Sequence, residues 1–264
     1  MKAYYNENDS FAAAWLRELI KGGHIAPGVV DERSIEEVQP NDLAGYNQVH
    51  LFAGIGGWSY ALRLAGWPDD RSVWTGSCPC QPFSLCGDGR AESDSRHLWP
   101  VFARLVRECR PSTVIGEQVA SPLGRKWLLG VFNDLENMGY AGAGADLCAP
   151  GVGAAHQRQR LYWVAHPNGT REQPRIDSVP CPTLPHEQTG GDVSSRGSSG
   201  FGVWDPYDVR IGRDGRRYRV AVGSGPCPLA NGVPARVGRL HGYGNAIVPQ
   251  VAAAFVRAYR ETLA

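Results

Sequence analysis

The stretch Gly76-Ser77-Cys78-Pro79-Cys80-Gln81-Pro82-Phe83-Ser84 constrains this chain more than any other. The residues just before it, Ser72-Val73-Trp74-Thr75, are β-branched and aromatic and predict a short buried strand. Pro79 and Pro82 flank Cys80. Each proline ring fixes φ and restricts the residue before it, so the loop is stiff. A thiol on a rigid loop at the carboxyl end of a strand is well placed to act as a nucleophile. The same local sequence also suits a turn with two buried cysteines, because free cysteine is among the most buried residue types.

The surrounding pattern alternates strands with helices. Asp9 or Ser10 caps a predicted helix with Phe11, Trp15, Leu16, Leu19 and Ile20 on one face, stopped at Gly22-Gly23. Residues 24–46 read as irregular. Val49-His50-Leu51-Phe52 reads as the first core strand, followed at once by Gly54, Gly56 and Gly57 and then a helix over 58–65. A third helix runs from Leu98 to Cys109, with Leu98, Val101, Phe102, Leu105, Val106 and Cys109 at helical spacing. The segment 113–115 is a strand that delivers Glu117, and a helix over 125–138 follows. Residues 140–148 and 160–164 read as extended, and a last helix begins near Ile247. Strands alternating with helices of this length predict an α/β fold, a Rossmann-like sheet with helices on both faces. From His166 to Arg239, Pro, Gly and Ser dominate, with Trp204, Tyr207, Tyr218 and several arginines interleaved. That region reads as a small irregular insert, with a flexible linker as the other reading. The expected division is therefore 1–165 as the α/β body, 166–239 as the insert, and 240–264 as a helix returning to the body.

The formal net charge is +1, so any nucleic-acid surface must rest on local clusters such as Arg158 with Arg160, or the arginines between 196 and 239. Seven irregularly spaced cysteines argue for reduced thiols in a cytoplasm rather than a disulfide framework. Cys78 and Cys80 form a close pair but no second pair follows, so no metal site is expected; distant Cys181 and Cys227 with a histidine are the alternative. No apolar run approaches the ~20 residues of a membrane span.

Taken in order, several blocks form one pattern. They are His50-Leu51-Phe52-Ala53-Gly54-Ile55-Gly56-Gly57, then Pro79-Cys80-Gln81, then Gly116-Glu117-Gln118-Val119. His156-Gln157-Arg158-Gln159-Arg160-Leu161-Tyr162 and Gly242-Tyr243-Gly244-Asn245-Ala246-Ile247-Val248-Pro249-Gln250 follow. The set resembles the signature blocks of the DNA cytosine-C5 methyltransferase family, in the short wording of phage and prophage members. The likeness spans residues 50–250.

The resemblance implies transfer of a methyl group from S-adenosylmethionine to C5 of a cytosine flipped out of double-stranded DNA. It implies Cys80 as the nucleophile at C6, Glu117 as the acid at N3, Arg160 at O2, and Arg158 near the catalytic loop. It implies that Phe52, Gly54, Ile55, Gly56, Gly57 and Asn245 hold the cofactor, and that Gln81 and Ser84 lie by the flipped nucleotide's phosphate. The insert would read the duplex. Protection of phage DNA from restriction, a cytoplasmic setting and a monomeric state are further expectations. Carbon 5 of cytosine is a poor nucleophile until a thiolate adds at C6 while N3 is protonated, so an acid kept partly desolvated is needed.

This chain departs from the family pattern in places. Gln118 stands where Asn is usual, His156 where Gln is common, and Ala246 where a hydroxyl residue often lies. Residues 58–75 are all that separates Gly57 from Gly76, where the family fits two further strands and the acid that holds the cofactor ribose. Either residues 9–46 supply the missing elements from the N-terminal side, or cofactor binding is weakened or altered. Asp31, Asp42, Asp69 and Asp70 are the candidate ribose acids. Two other functions stay open from sequence: a sequence-specific DNA-binding protein with a degenerate site, and a C5-cytosine enzyme using an altered donor.

Overall fold

The computed structural model describes residues 2–79, 98–154, 158–168, 207–211, 217–221 and 245–263. In chain order the strands are β1 (Ala3–Asn6), β2 (Gly28–Asp31), β3 (Gln48–Leu51), β4 (Val73–Gly76), β5 (Val114–Val119), β6 (Tyr140–Cys148) and β7 (Gln159–Pro167). A separate antiparallel pair, β8 (Tyr207–Ile211) and β9 (Arg217–Ala221), lies in the predicted insert. The helices are α1 (Ser10–Lys21), α2 (Gly57–Leu64), α3 (Trp99–Cys109), α4 (Pro122–Asn137) and α5 (Pro249–Thr262).

The first seven strands form one sheet in the order β2-β1-β3-β4-β5-β7-β6. From β2 to β5 every pairing is parallel, and β7 then runs antiparallel to both β5 and β6. All residues of β3 and β4 are buried, as expected for parallel strands covered on both faces. One face carries Val73, Ile115, Tyr162 and Val164 against α2 and α5. The other carries Val49, Trp74, Val114, Leu161 and Trp163 against α3 and α4. Burying an aliphatic or aromatic side chain of this kind contributes about 1.5–3 kcal/mol. The expected α/β sheet with helices on both faces is therefore present.

The N-terminus departs from the sequence reading. The polar start of the chain forms β1, and residues 24–46, read as irregular, contain β2 and two short 3-10 turns at Ile35–Glu37 and Pro40–Leu43. Both strands add outside β3; β2 lies within the 9–46 stretch expected to supply further elements, whereas β1 precedes it. Side-chain bonds explain why so polar a strand is buried. The Tyr5 hydroxyl donates to the Ala26 carbonyl at 2.7 Å and meets Ser59 Oγ at 2.9 Å. Its ring stacks on His50 with centroids 4.8 Å apart. His50 in turn bonds Thr75 at 2.8 Å and Gln48 at 3.2 Å. Burial pulls the His50 pKa down to about 3, so the ring is neutral and serves as a cross-strand strut. Helix α1 starts where expected, with the Asp9 carboxylate accepting from the Ala12 amide at 2.8 Å.

Cys148 is disulfide-bonded, which corrects the expectation of reduced thiols throughout, while Cys78 and Cys109 are free. Among the described residues no helix is long and apolar enough to cross a membrane, and no cluster of three or more His, Cys, Asp or Glu side chains could hold a metal ion.

Candidate active site

Because β1, β3, β4 and β5 are parallel, their carboxyl ends share one edge of the sheet. β7 runs the other way and begins at that same edge, so Arg158 and Arg160 enter it from the opposite direction. In open α/β sheets this edge is where ligands bind.

The glycine turn after β3 occupies one side of the edge. Gly54 has φ 55° and Gly56 has φ 80°, left-handed conformations that glycine adopts at little cost. Phe52 also sits at φ 52°, where a bulky side chain is strained. Its ring is held edge-on to Phe102, centroids 6.5 Å apart. A Cβ on Gly57 would lie 2.9 Å from Cγ1 of Ile247, so the start of α2 packs directly against the segment that leads into α5. Ile55 is half-buried in the same turn, and Asn245 is exposed ahead of α5 rather than at its first turn.

The acidic side chain that meets this turn is Glu7, which the sequence reading missed. Glu7 follows β1 directly, and its Oε2 accepts from the Gly54 amide at 2.7 Å while Oε1 accepts from the Asp9 amide at 2.9 Å. The four aspartates named from sequence have other contacts. Asp69 pairs with Arg63 at 2.6 Å in the connection between α2 and β4, and the Asp70 carbonyl accepts from the Asn47 side chain. Asp31 and Asp42 both pair with Arg33, at 2.6 and 3.0 Å. The signal for Glu7 was present in the sequence: a Tyr4-Tyr5 pair just ahead of a capped helix, with an acid between them.

The other side of the edge is built on β5 and β7. Glu117 lies opposite Tyr162 in the ladder, and the two-residue period of a strand puts Arg160 on that same face. Arg160 Nε is 2.8 Å from Glu117 Oε1. Glu117 is only 8% exposed. Burial pushes its pKa up, opposed by Arg160, by Arg158 and by a hydrogen bond with Ser77. Burial likewise pushes the half-buried Arg158 down, with Arg160 adding like-charge repulsion. The acid is thus desolvated and yet faced by two guanidinium groups. Burial favours the protonated form of this carboxyl and the two guanidinium groups favour its charged form, the opposed pulls expected of a group that exchanges a proton.

The strand β4 leads straight toward the thiol loop. Cys78 is buried, and burial raises its pKa far above the ordinary thiol range, so it is inert as a nucleophile. Pro79 follows it and is exposed. Cys80, Gln81 and Ser84 lie outside the described residues, as do His156 and Gln157.

Comparison with known proteins converges on one family. Residues 67–195 match the model for the C-5 cytosine-specific DNA methylase family. The type II methyltransferase M.HhaI of Haemophilus parahaemolyticus is 28% identical over 171 residues, covering 50% of this chain and 52% of the relative. The type II methyltransferase M.HgiCII of Herpetosiphon aurantiacus is 28% identical over 157 residues, covering 44% of this chain and 36% of the relative. The chain thus spans about half the length of M.HhaI, or less, in the curated relatives it matches. Among solved structures, the Entamoeba histolytica methyltransferase EhMeth aligns at TM-score 0.43 and 14% identity, covering 67% of this chain and 48% of that chain. The matched segment, just under half of the chain, contains β4, the thiol loop, Glu117 and the Arg158-x-Arg160 strand, and over it the chain is similar to the C-5 cytosine-specific DNA methylase family.

Proposed function

We propose that this protein transfers a methyl group from S-adenosylmethionine to C5 of a cytosine flipped out of duplex DNA. The observation that carries the reading is the buried Glu117 carboxyl, paired with Arg160 at the sheet edge where β4 runs into the Pro79-Cys80 loop.

The residues at the glycine turn fit the cofactor. The left-handed Gly54 and Gly56 leave the backbone open to close approach, and the amides of the first turn of α2 suit an anionic group. Glu7, fixed by the Gly54 and Asp9 amides at the carboxyl end of the neighbouring strand, suits ribose hydroxyls. Phe52, Ile55, Gly57 and Asn245 complete the turn and its surroundings. When bound, S-adenosylmethionine supplies an electrophilic methyl group. The filled strand positions support this donor over an altered one.

In this reading the Cys80 thiolate adds to C6 of the cytosine. N3 takes the proton held by Glu117, and Arg160 steadies O2. The electron pair freed at C5 would take the methyl group that the donor supplies, the methyl–sulfur bond breaking with its electron pair left on the sulfonium sulfur. Transfer of the C5 proton to solvent water then re-forms the C5–C6 double bond and expels the thiolate, and the N3 proton returns to Glu117. Arg158 supports the charge on Glu117, while Gln81 and Ser84 hold the backbone of the flipped nucleotide. The target base must leave the stack because C5 is unreachable inside a duplex. Residues 1–165 form the catalytic body, 166–239 read the duplex, and 240–264 pack back on the body.

Incubation with S-adenosylmethionine carrying a labelled methyl group and mixed-sequence duplex DNA tests the reading. Label is expected in 5-methylcytosine, and Cys80→Ala is expected to abolish it without unfolding the protein. Absence of label together with absence of calorimetric cofactor binding would remove the reading; DNA binding without turnover would favour a degenerate site.

A further inference from the structure

The first turn of α2 is tied in two directions. Ser59 Oγ accepts from the Ala26 amide at 3.1 Å and meets the Tyr5 hydroxyl at 2.9 Å, which fastens the helix to β1. Its neighbour Trp58 reaches the other way. The indole Nε1–H donates to Ser77 Oγ at 3.0 Å, one residue past the end of β4. Trp58 is buried, and its ring lies edge-on to Tyr162 of β7 with centroids 6.0 Å apart. A phenylalanine could fill that space and keep the ring contact, but it has no N–H to donate. The helix that carries Trp58 starts at Gly57, and the turn before it is bonded to Glu7 through the Gly54 amide at 2.7 Å. One short run of backbone, residues 54–58, therefore joins Glu7 to the end of the strand that leads to Cys80. Ser77 stands three residues ahead of Cys80. Between them Cys78 is buried and Pro79 has a fixed φ, so the connection has little slack.

We propose that Trp58 is a positioning residue: by donating to Ser77 it holds the exit of β4, the strand that leads to the nucleophile, at a fixed place relative to the glycine turn. The inference rests on the function proposed above and adds a residue to it. Methyl transfer joins a carbon held by the thiol to a methyl group held by the donor. The two sites must therefore keep their separation, and a misplacement of about 1 Å can cost about 100-fold in rate. The Trp58–Ser77 bond spans them directly, from the first turn after the glycines to the end of β4.

Two readouts test the proposal, in wild type, Trp58→Phe, Ser77→Ala, Ser77→Thr and the double variant that combines Trp58→Phe with Ser77→Ala. The first is amide hydrogen exchange of the peptide covering 73–79, read by mass spectrometry without substrate. Exchange should quicken about fivefold in Trp58→Phe and in Ser77→Ala, no further in the double variant, and not in Ser77→Thr, which keeps a hydroxyl. The second is the single-turnover rate of methyl transfer, with cofactor affinity measured by calorimetry. The rate should fall about fivefold in Trp58→Phe and in Ser77→Ala, and no further in the double variant, with cofactor affinity unchanged. Ser77→Thr should keep the wild-type rate. Additive losses in the double variant would mean that the two residues act apart and would overturn the proposal. Faster exchange with an unchanged rate would overturn it too, leaving Trp58 a packing residue. If the exchange changes appear while wild type transfers no methyl group, the Trp58–Ser77 tie stands and the proposed function falls.

Discussion

The two halves of the sheet edge are specified in different ways. The proposed cofactor half, at β1 and β3, is made mainly of backbone: left-handed glycines, amides at the start of α2, and one carboxylate held by the Gly54 and Asp9 amides. The proposed catalytic half, at β5 and β7, is made of side chains at fixed spacing. Glu117 faces Arg160 because one strand places an acid opposite a strand that carries Arg-x-Arg. In the first half, β1 and β2 precede β3 in sequence yet lie beyond it in the sheet. In the second half, β7 lies between β5 and β6 and pairs antiparallel with both. A backbone-defined site needs only some strand end with an acid beside the turn, so its connectivity is free to change. A side-chain-defined site needs a particular register, and one residue of slip would send every side chain to the other face.

Substitutions on each side should separate these two kinds of specification. The largest effect is expected at Glu117→Gln, which removes the proton but keeps the shape. It should lower kcat for methyl transfer about 100-fold or more with cofactor affinity unchanged, measured by single-turnover kinetics and calorimetry. Loss of cofactor binding in that variant would mean the halves are not separable. Gly56→Ala attacks the backbone-defined half. At φ 80° a side chain is strained, and its Cβ would lie 3.2 Å from both Ile25 Cδ1 and Leu16 Cδ2. A stability loss of about 1–2 kcal/mol is expected in denaturant unfolding. Glu7→Gln should weaken S-adenosylmethionine binding about tenfold while sparing kcat at saturation, since one charged hydrogen bond is lost. Unchanged affinity would make the N-terminal strand a packing element only.

The smallest effect concerns how that strand pair is held. Hydrogen bonds from Arg33 and Tyr4, working against partial burial, lower the Asp31 pKa from 3.8 to about 2. A depressed carboxyl pKa stabilises the fold above the usual value and loses that contribution as pH falls through the folded value. Stability should therefore drop between about pH 4 and pH 2 in the wild type. Asp31→Asn should be weaker by about 1 kcal/mol at neutral pH and lack this drop.

Much of the catalytic half could be seen in the sequence. Glu117 and Arg160 stand at strand spacing; the strand predicted for 160–164 falls inside β7, and that predicted for 113–115 overlaps the start of β5. What periodicity could not reveal was which strands pair. Ser77, Trp58 and Tyr162 come from three separate elements and meet only because β4, β5 and β7 are neighbours and α2 lies over them. The cofactor half was legible only in its glycines. β1 and β2 have four residues each, too short to show a period, and β1 is buried through hydroxyl and ring contacts rather than aliphatic content. The ribose acid is expected from sequence after Gly57 or among the aspartates of 31–42, whereas the acid that bonds the glycine turn is Glu7, ahead of α1. Cys78 shows the converse: nothing in the sequence marks its thiol as buried, and the structure buries it at the end of β4.

The account depends most on a transient bond between the Cys80 sulfur and C6 of an extruded cytosine. A duplex carrying 5-fluorocytosine at the methylated position tests it directly, because fluorine cannot leave as a proton and the adduct cannot collapse. With S-adenosylmethionine present, wild type should give a denaturation-resistant protein–DNA complex whose mass and peptide map place the link at Cys80, and Cys80→Ala should give none. Methylated product from ordinary DNA with no trapped complex, or a link at another residue, would contradict the account.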